Sequence, residues 1–402
     1  MLHLLHKKSL DFVAAKGAIR RIVSRLRFTT RRHRYSTIHT NAAMDAPYAH
    51  ELHIAELAVH QASLLTKRVL QAVDKGSLSK SDKTPVTVAD FGSQALLISA
   101  LHHAFPNDGF IGEEDSSALR SNSELRERVW DLVKSTTLEG DDATTLHHPG
   151  SADEMMEMID LGVNAAPDSR RTWVMDPIDG TEAFLRGEQY AVALALLVDG
   201  VQKVAVLGCP NLVLDDGRFS ETVTDRAGYG YRLFAVQGRG AFMRKISDRS
   251  DPVKAVNLAD PEADASVKRL RLNQNLPVRP RFVDWEDKSM DVVRCRAVAK
   301  ELDGTWVHTS AYAAQLKYVV IATGCADILT RYFKSRDRKS FIYDHAGGIL
   351  VAEEAGAVVT DLDGKKIDFT TGRRLSANYG FAVAVPLLHA KAIRALKIQF
   401  QG

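Results

Sequence analysis

The segment Asp176-Pro177-Ile178-Asp179-Gly180-Thr181 holds two carboxylates three positions apart, a backbone carbonyl between them and a hydroxyl just beyond. Hard cations such as Mg²⁺ take oxygen ligands of this kind, usually a few carboxylates completed by water and substrate phosphate. The segment follows Arg171 to Met175, which reads as a strand ending in Asp176, and Pro177 to Gly180 is expected to reverse the chain. Pro177 fixes the backbone, Gly180 lets it approach a phosphate closely, and N–H groups at a following helix start can cradle one. Taken alone, the hexapeptide also fits a surface turn, since Asp-Gly is a common turn pair.

Three further acidic segments are weaker in isolation. Ile111-Gly112-Glu113-Glu114-Asp115 puts three acids at the end of a short strand, which by itself describes a solvated loop. Asp90, after Thr84-Pro85-Val86-Thr87-Val88-Ala89, opens a helix, as does Asp344 in Tyr343-Asp344-His345-Ala346-Gly347-Gly348. An acid at such a position is ordinarily a cap. No Cys or His nucleophile with an activating partner is apparent, so a covalent intermediate is not required.

The elements that must position these residues are legible in outline. Apolar residues recur at helical spacing from Glu51 to Val73, and Lys75-Gly76 ends the run. A polar loop from Ser77 to Pro85 precedes a second helix, Asp90 to Phe105, and Pro106-Asn107-Asp108-Gly109 is a turn. Phe110-Ile111-Gly112 is a short strand delivering Glu113, and Ser116 to Pro149 reads as a polar excursion over the surface. Strands are expected at Tyr190–Val198, Gln202–Leu207 and Leu233–Val236, the first two joined by a tight Asp199-Gly200 hairpin. Ser247 to Arg281 is charged and Pro-containing, an interdomain or inserted region. Helices and strands then alternate: Ser289–Lys300, Ala311–Thr323, Ala326–Leu329, Asp344–Ala355, Val358–Thr360, Phe381–Val385 and Pro386–Ile398.

Composition sets the outer bounds. The 402 residues are 45% hydrophobic and 26% charged, ordinary for a globular protein with one or two domains. The longest apolar run, Tyr190–Val198, is far short of the ~20 residues that span a bilayer, so no membrane partner is expected. Cys209, Cys295 and Cys325 are too few and too scattered for a disulfide framework or a zinc site. The net charge of +3 hides an asymmetry. Residues 1–43 carry ten Lys/Arg against the single acid Asp11, which leaves the remainder at −6. A mildly acidic body argues against a nucleic-acid polymer as the partner. The Arg-rich leader, with a basic amphipathic stretch from Phe12 to Leu26, has the composition of a mitochondrial transit peptide, and a start at Met44 would give a cytoplasmic form.

Together the four acidic segments resemble the lithium-sensitive, magnesium-dependent phosphatase superfamily that includes inositol monophosphatases and fructose-1,6-bisphosphatases. The narrower likeness is to the 3′(2′),5′-bisphosphate nucleotidases of the fungal salt-tolerance type. It rests on Phe184-Leu185-Arg186-Gly187-Glu188-Gln189 and Gly208-Cys209-Pro210-Asn211-Leu212, and runs from about Pro47 to the C-terminus. The resemblance implies an α/β fold, a layered αβαβα sandwich with an N-terminal α+β lobe over 44–205 and a C-terminal α/β lobe over 206–402. It implies metal ligation by Glu113, Asp176, the Ile178 carbonyl, Asp179 and Asp344. Asp90 matches the acid beside the nucleophilic water and Thr181 the threonine that orients it, while Gly180, Thr181, Lys317 and Arg331 match substrate contacts. Two or more Mg²⁺ ions are implied, with Li⁺ competing for a magnesium position.

The activity so implied is removal of the 3′-phosphate of 3′-phosphoadenosine 5′-phosphate to give AMP. The sulfated precursor, 3′-phosphoadenosine 5′-phosphosulfate, is a second candidate substrate, and the role lies in sulfate assimilation and salt tolerance. The expected partner is a small phosphorylated nucleotide, and the expected state a monomer. Two alternatives stand beside it: a phosphatase for inositol phosphates or another small phosphomonoester, and a nucleotide sensor without turnover. Some positions depart from the nucleotidases. Glu286-Asp287-Lys288-Ser289-Met290-Asp291 stands where a His-Ser-Ser-His-Asp type segment is usual, Ala314 replaces a Ser, and Tyr343 replaces a Trp. An Asp at 287 near a phosphate is unfavourable without a cation beside it.

Overall fold

The apolar run around Ala191–Val198 is covered on both faces. Ala191, Ala193, Ala195 and Leu197 join one hydrophobic core, and the alternating Val192, Leu194 and Leu196 join another. A strand enclosed in this way reads as continuous apolar sequence rather than as alternation. The computed structural model describes residues 46–71, 77–79, 85–163, 170–214, 217–247, 251–258, 280–285, 287–302 and 308–400. The basic leader, residues 1–43, lies outside them. Residues 47–402 form one unit.

Helix α1 (Ala49–Gln71) leads to a two-stranded antiparallel ribbon, β1 (Ser77–Ser79) and β2 (Pro85–Thr87), where the sequence suggested only a loop. Helix α2 (Val88–Ala104) and strand β3 (Gly109–Ile111) follow. The stretch read as a surface excursion is instead largely helical, with α3 (Ser117–Ser121) and α4 (Ser123–Ser135). Leu125, Val129 and Val133 recur every four residues and pack with Phe91, Ala95 and Leu96 of α2. Asn122 caps α4, its side-chain oxygen accepting from Leu125 N at 3.0 Å. Helix α5 (Ala152–Leu161), unforeseen in the sequence, adds Met155, Met156 and Ile159 to the same core.

The larger sheet is then completed by β4 (Arg171–Asp179), helix α6 (Thr181–Leu185), β5 (Ala191–Val198), β6 (Val201–Cys209), β7 (Tyr231–Val236), β8 (Ala241–Lys245) and β9 (Lys254–Val256). Asp199 and Gly200 both have positive φ (51° and 73°), as a two-residue hairpin turn demands. The smaller sheet and its helices use β10 (Phe282–Asp284), α7 (Val292–Glu301), β11 (His308–Ser310), α8 (Ala314–Ala322), β12 (Ile328–Arg331), α9 (Ala346–Glu354), β13 (Val358–Thr360), β14 (Phe381–Ala384) and α10 (Pro386–Phe400).

Seven strands run β3-β4-β5-β6-β7-β8-β9, with only β3 and β4 parallel. Five run β11-β10-β12-β14-β13, parallel among the first three and antiparallel thereafter. Helices α1 and α2 pack on one face of the larger sheet and α9 on the other; α8 pairs with α9 and meets the smaller sheet, whose strands β12 and β14 also carry α10, itself packed on α7. This is the αβαβα layering. The chain passes from the larger sheet to the smaller between β9 and β10. Residues 259–279 of the charged Ser247–Arg281 stretch lie outside the described residues.

Candidate active site

β4 does not stop at Asp176. Asp176 pairs with Ala193 and Asp179 with Ala191, so three steps on β4 oppose two on β5. One extra residue in a ladder is a bulge, and Pro177, which has no N–H to donate, sits within it. The expected chain reversal over Pro177 to Gly180 is therefore corrected to a bulge followed by α6. In an unbroken strand residues three apart project from opposite faces, and the extra residue puts Asp176 and Asp179 back in step. Gly180 then takes φ of +91°, and a Cβ there would lie 2.9 Å from Ala313 Cβ, so only glycine fits. Thr181 starts α6, its Oγ1 donating to the Ile178 carbonyl at 3.2 Å.

The other acids arrive from separate segments. Asp90 is buried in the first turn of α2, two residues inside the helix rather than at its start. Glu113 follows β3, and Asp344 precedes α9, which begins two residues later than expected. Burial, then Glu113, Asp179, Asp344 and Asp90 in that order, hold the Asp176 carboxyl well above the usual carboxylate range. Desolvation, Glu113 and Asp179 do the same to Asp344, against Lys317 and Arg331. Asp179 is pushed up by burial only to about 6, because the main-chain N–H groups of Ala314 and Gln315 oppose it.

Asp176 Oδ1 is buried with no hydrogen-bond partner among the described residues. A carboxylate oxygen in that position asks for a cation or a proton. Among the described residues no group of three or more His, Cys, Asp or Glu side chains is placed so that it could hold a metal ion as the chain lies here. The donors at these positions are all oxygens, the kind a hard divalent cation takes when water and substrate oxygens complete its shell.

Three residues that the sequence reading passed over support this cluster. Gln94, one turn beyond Asp90 and fully buried, donates to the carbonyls of Glu114 (2.7 Å) and Ile159 (3.0 Å) and accepts from Glu114 N (2.9 Å). It thereby fixes the backbone that carries Glu113. Gln315 does the corresponding work at Asp344, donating to the Tyr343 carbonyl at 2.7 Å and accepting from Gly348 N at 2.6 Å. Arg373 donates to the Gly162 carbonyl at 3.0 Å and lies 5.6 Å from the Tyr343 ring centroid. A glutamine beside a run of apolar residues in a helix was the signal available for the first two.

Lys317 and Arg331 reach the same region but are already engaged. Lys317 Nζ donates to the Tyr312 carbonyl at 2.8 Å, and burial with Arg331 nearby brings its pKa down to about 8. Arg331 pairs with Asp284 and Asp287 and donates to the Trp285 carbonyl at 3.2 Å. The cation that an aspartate at 287 needs is thus Arg331. Burial pushes the Asp287 carboxyl up, and Arg331 and Ser289 outweigh it, leaving it below the usual range. Cys209, Cys295 and Cys325 are buried free thiols.

A seven-stranded and a five-stranded sheet stand in αβαβα layers, with four other acids acting on Asp176 at the β4 bulge. The model of the inositol monophosphatase family matches residues 49–399, and the chain belongs to that family. It is 37% identical over 359 residues to a 3′(2′),5′-bisphosphate nucleotidase of Emericella nidulans, covering 87% of this chain and 98% of the relative. It is 38% identical over 351 residues to a 3′(2′),5′-bisphosphate nucleotidase of Schizosaccharomyces pombe, covering 86% and 94%. Among solved structures, an inositol monophosphatase of Thermotoga maritima superposes with a TM-score of 0.54 at 16% identity, covering 87% of this chain and 97% of that one, a likeness of fold.

Proposed function

We propose that the chain hydrolyses the 3′-phosphate of 3′-phosphoadenosine 5′-phosphate to AMP and inorganic phosphate, with Mg²⁺ as its metal. The observation that carries this is the gathering of Asp90, Glu113, Asp176, Asp179 and Asp344 around one point of mutual repulsion. It occurs in a chain whose curated relatives are bisphosphate nucleotidases along nearly their full length. Glu113, Asp176, the Ile178 carbonyl, Asp179 and Asp344 would hold two or more Mg²⁺ ions. Such ions, when bound, neutralise phosphoryl oxygens and make water a better nucleophile.

The chain's own residues supply orientation and proton transfer. The bond from phosphorus to the ribose O3′ breaks, a bond from phosphorus to the water oxygen forms, and the alcohol takes a proton as the water loses one. Asp90, fixed in the first turn of α2, is the group to receive the proton from the water. The Thr181 hydroxyl directs its hydrogen at the Ile178 carbonyl, so its lone pairs remain to accept from that water. Gly180 gives the phosphate room. Lys317 contacts the substrate through its charge, and Arg331 sets the edge of the site through Asp287.

The same reading includes inhibition by Li⁺, action on 3′-phosphoadenosine 5′-phosphosulfate, a monomeric state and delivery to mitochondria by residues 1–43. The test is phosphate release with Mg²⁺ from 3′-phosphoadenosine 5′-phosphate, inositol 1-phosphate and inositol 1,4-bisphosphate, each with and without Li⁺. Fast release from the nucleotide alone, blocked by Li⁺, is expected. Release only from an inositol phosphate would overturn the substrate assignment. Nucleotide binding without release from any of the three would make the chain a sensor.

A further inference from the structure

Trp285 and Tyr312 are large, half-buried rings that belong to none of the hydrophobic cores. Trp173, by contrast, is fully buried and donates its indole N–H to Asp108, a structural role. The two rings meet edge to face, centroids 5.0 Å apart at 76°, and the Arg186 guanidinium lies 6.0 Å from one centroid and 5.2 Å from the other. The pair stands beside the reacting end of the site, since a Cβ on Gly180 would lie 3.6 Å from the Tyr312 ring.

The main chain that carries both rings is tied in place, and the Tyr312 hydroxyl is anchored as well. Trp285 N donates to Asp284 and the Trp285 carbonyl accepts from Arg331. Tyr312 N donates to Glu221 at 3.0 Å, its carbonyl accepts from Lys317, and its hydroxyl donates to Glu182 at 2.7 Å. Aromatic area that packs no core yet sits on a main chain fixed by hydrogen bonds is poised for a flat, π-rich ligand. A guanidinium over both rings adds a second stacking surface of the kind bases favour. A polyol phosphate has no π face and gains nothing there.

We propose that Trp285 and Tyr312, with Arg186, form the face on which the base of the nucleotide substrate stacks, and so decide between nucleotide and polyol phosphates. The inference rests on the bisphosphate-nucleotidase reading. Two measurements on the full chain test it. The first is the ratio of kcat/KM for 3′-phosphoadenosine 5′-phosphate to that for glycerol 2-phosphate, in the wild type, Trp285→Leu and Trp285→Phe. Trp285→Leu is expected to lower the ratio about tenfold through KM, and Trp285→Phe, which keeps a ring, to recover most of it. The second is tryptophan fluorescence on titration with AMP, quenched in the wild type and unquenched in Trp285→Leu. An unchanged ratio in Trp285→Leu, or equal quenching in both proteins, overturns the stacking face. A wild type that releases no phosphate from the nucleotide sinks the nucleotidase reading instead, while the AMP titration still decides the stacking face.

Discussion

The Asp179 carboxylate accepts from the main-chain N–H of Gln315 at 2.6 Å, and its other oxygen accepts from Ala314 at 2.9 Å. One side chain at the end of β4 therefore caps the first turn of α8, tying the larger sheet to the helix layer between the sheets. The helix N-terminus also offsets part of the crowding of like charges. Asp179 rises only to about 6, whereas Asp176, with no such donor on Oδ1, is held well above the usual range. Two neighbouring acids thus occupy different electrostatic positions because one faces a helix end.

That contrast makes Asp176 a residue that costs the folded state stability. Replacing a buried carboxylate that repels four others by a neutral amide relieves the repulsion. Asp176→Asn is expected to melt at a higher temperature than the wild type in EDTA at pH 8, by roughly 1–2 °C for each kcal/mol recovered in a folded unit of this size. The same variant is expected to lose the rise in Tm that Mg²⁺ gives the wild type, and to lose turnover. Calorimetry with and without Mg²⁺ decides it: a lower Tm in EDTA would show that Asp176 is held by contacts outweighing the repulsion.

Gln94 offers a different kind of test, because it touches no proposed substrate position. Its amide serves three main-chain groups around Glu114 and Ile159. Gln94→Ala leaves those buried groups unpaired, at about 1–3 kcal/mol for each one not rescued by water. The backbone carrying Glu113 is then free to shift. Mg²⁺ affinity, read from the concentration dependence of Tm, is expected to weaken about 10–100-fold, as when outer-shell partners of metal ligands are removed. An unchanged Mg²⁺ affinity alongside a lower Tm would reduce Gln94 to a purely structural role.

Which parts were legible in the sequence follows from range. The Asp176–Thr181 segment and the acids at 90, 113 and 344 stand out by residue type within short windows, and Asp90, Glu113, Asp179 and Asp344 all act on the Asp176 carboxyl. What lay between them was harder. The β4 bulge needs the pairing of Asp176 with Ala193 and Asp179 with Ala191, and a Pro-Ile-Asp-Gly string looks the same in a turn. Helix α4 was hidden because its exposed face is densely charged, although Leu125, Val129 and Val133 mark its buried side. The pairing of Asp287 with Arg331 joins residues 44 apart in the chain, and no local pattern announces it. The sheet change between β9 and β10, likewise, is a matter of pairing and not of composition.

Asp90 is the sharpest test of the proposed chemistry. It is buried at the head of α2 and presses on Asp176, yet it is not among the residues assigned to hold metal. Asp90→Asn keeps the shape and removes the proton acceptor. A fall in kcat of about 10²–10⁴ is expected, with KM and the Mg²⁺-induced rise in Tm retained. If the Mg²⁺ response disappears as well, Asp90 is a ligand and the division of labour among the carboxylates must be redrawn.

Glu221 gives a pH signature that is separate from the metal cluster. Burial raises its carboxyl from 4.5 to about 7, the N–H of Tyr312 working against this, Glu188 adding to it, and Lys317 and Arg186 opposing it. A carboxyl raised in the folded state binds its proton more tightly there than in the unfolded chain. Its stabilising contribution is therefore full below pH 4.5 and is lost as pH rises through 7. Glu221→Gln keeps an oxygen for the Tyr312 N–H and cannot ionise. Relative to the wild type, the variant is expected to gain stability between pH 5 and 8, approaching roughly 3 kcal/mol at the upper end if the whole shift is expressed. Urea unfolding of both proteins at half-unit steps of pH measures this difference directly. A difference that stays flat across the window would mean that Glu221 remains ionised throughout, its charge held by Lys317 and Arg186.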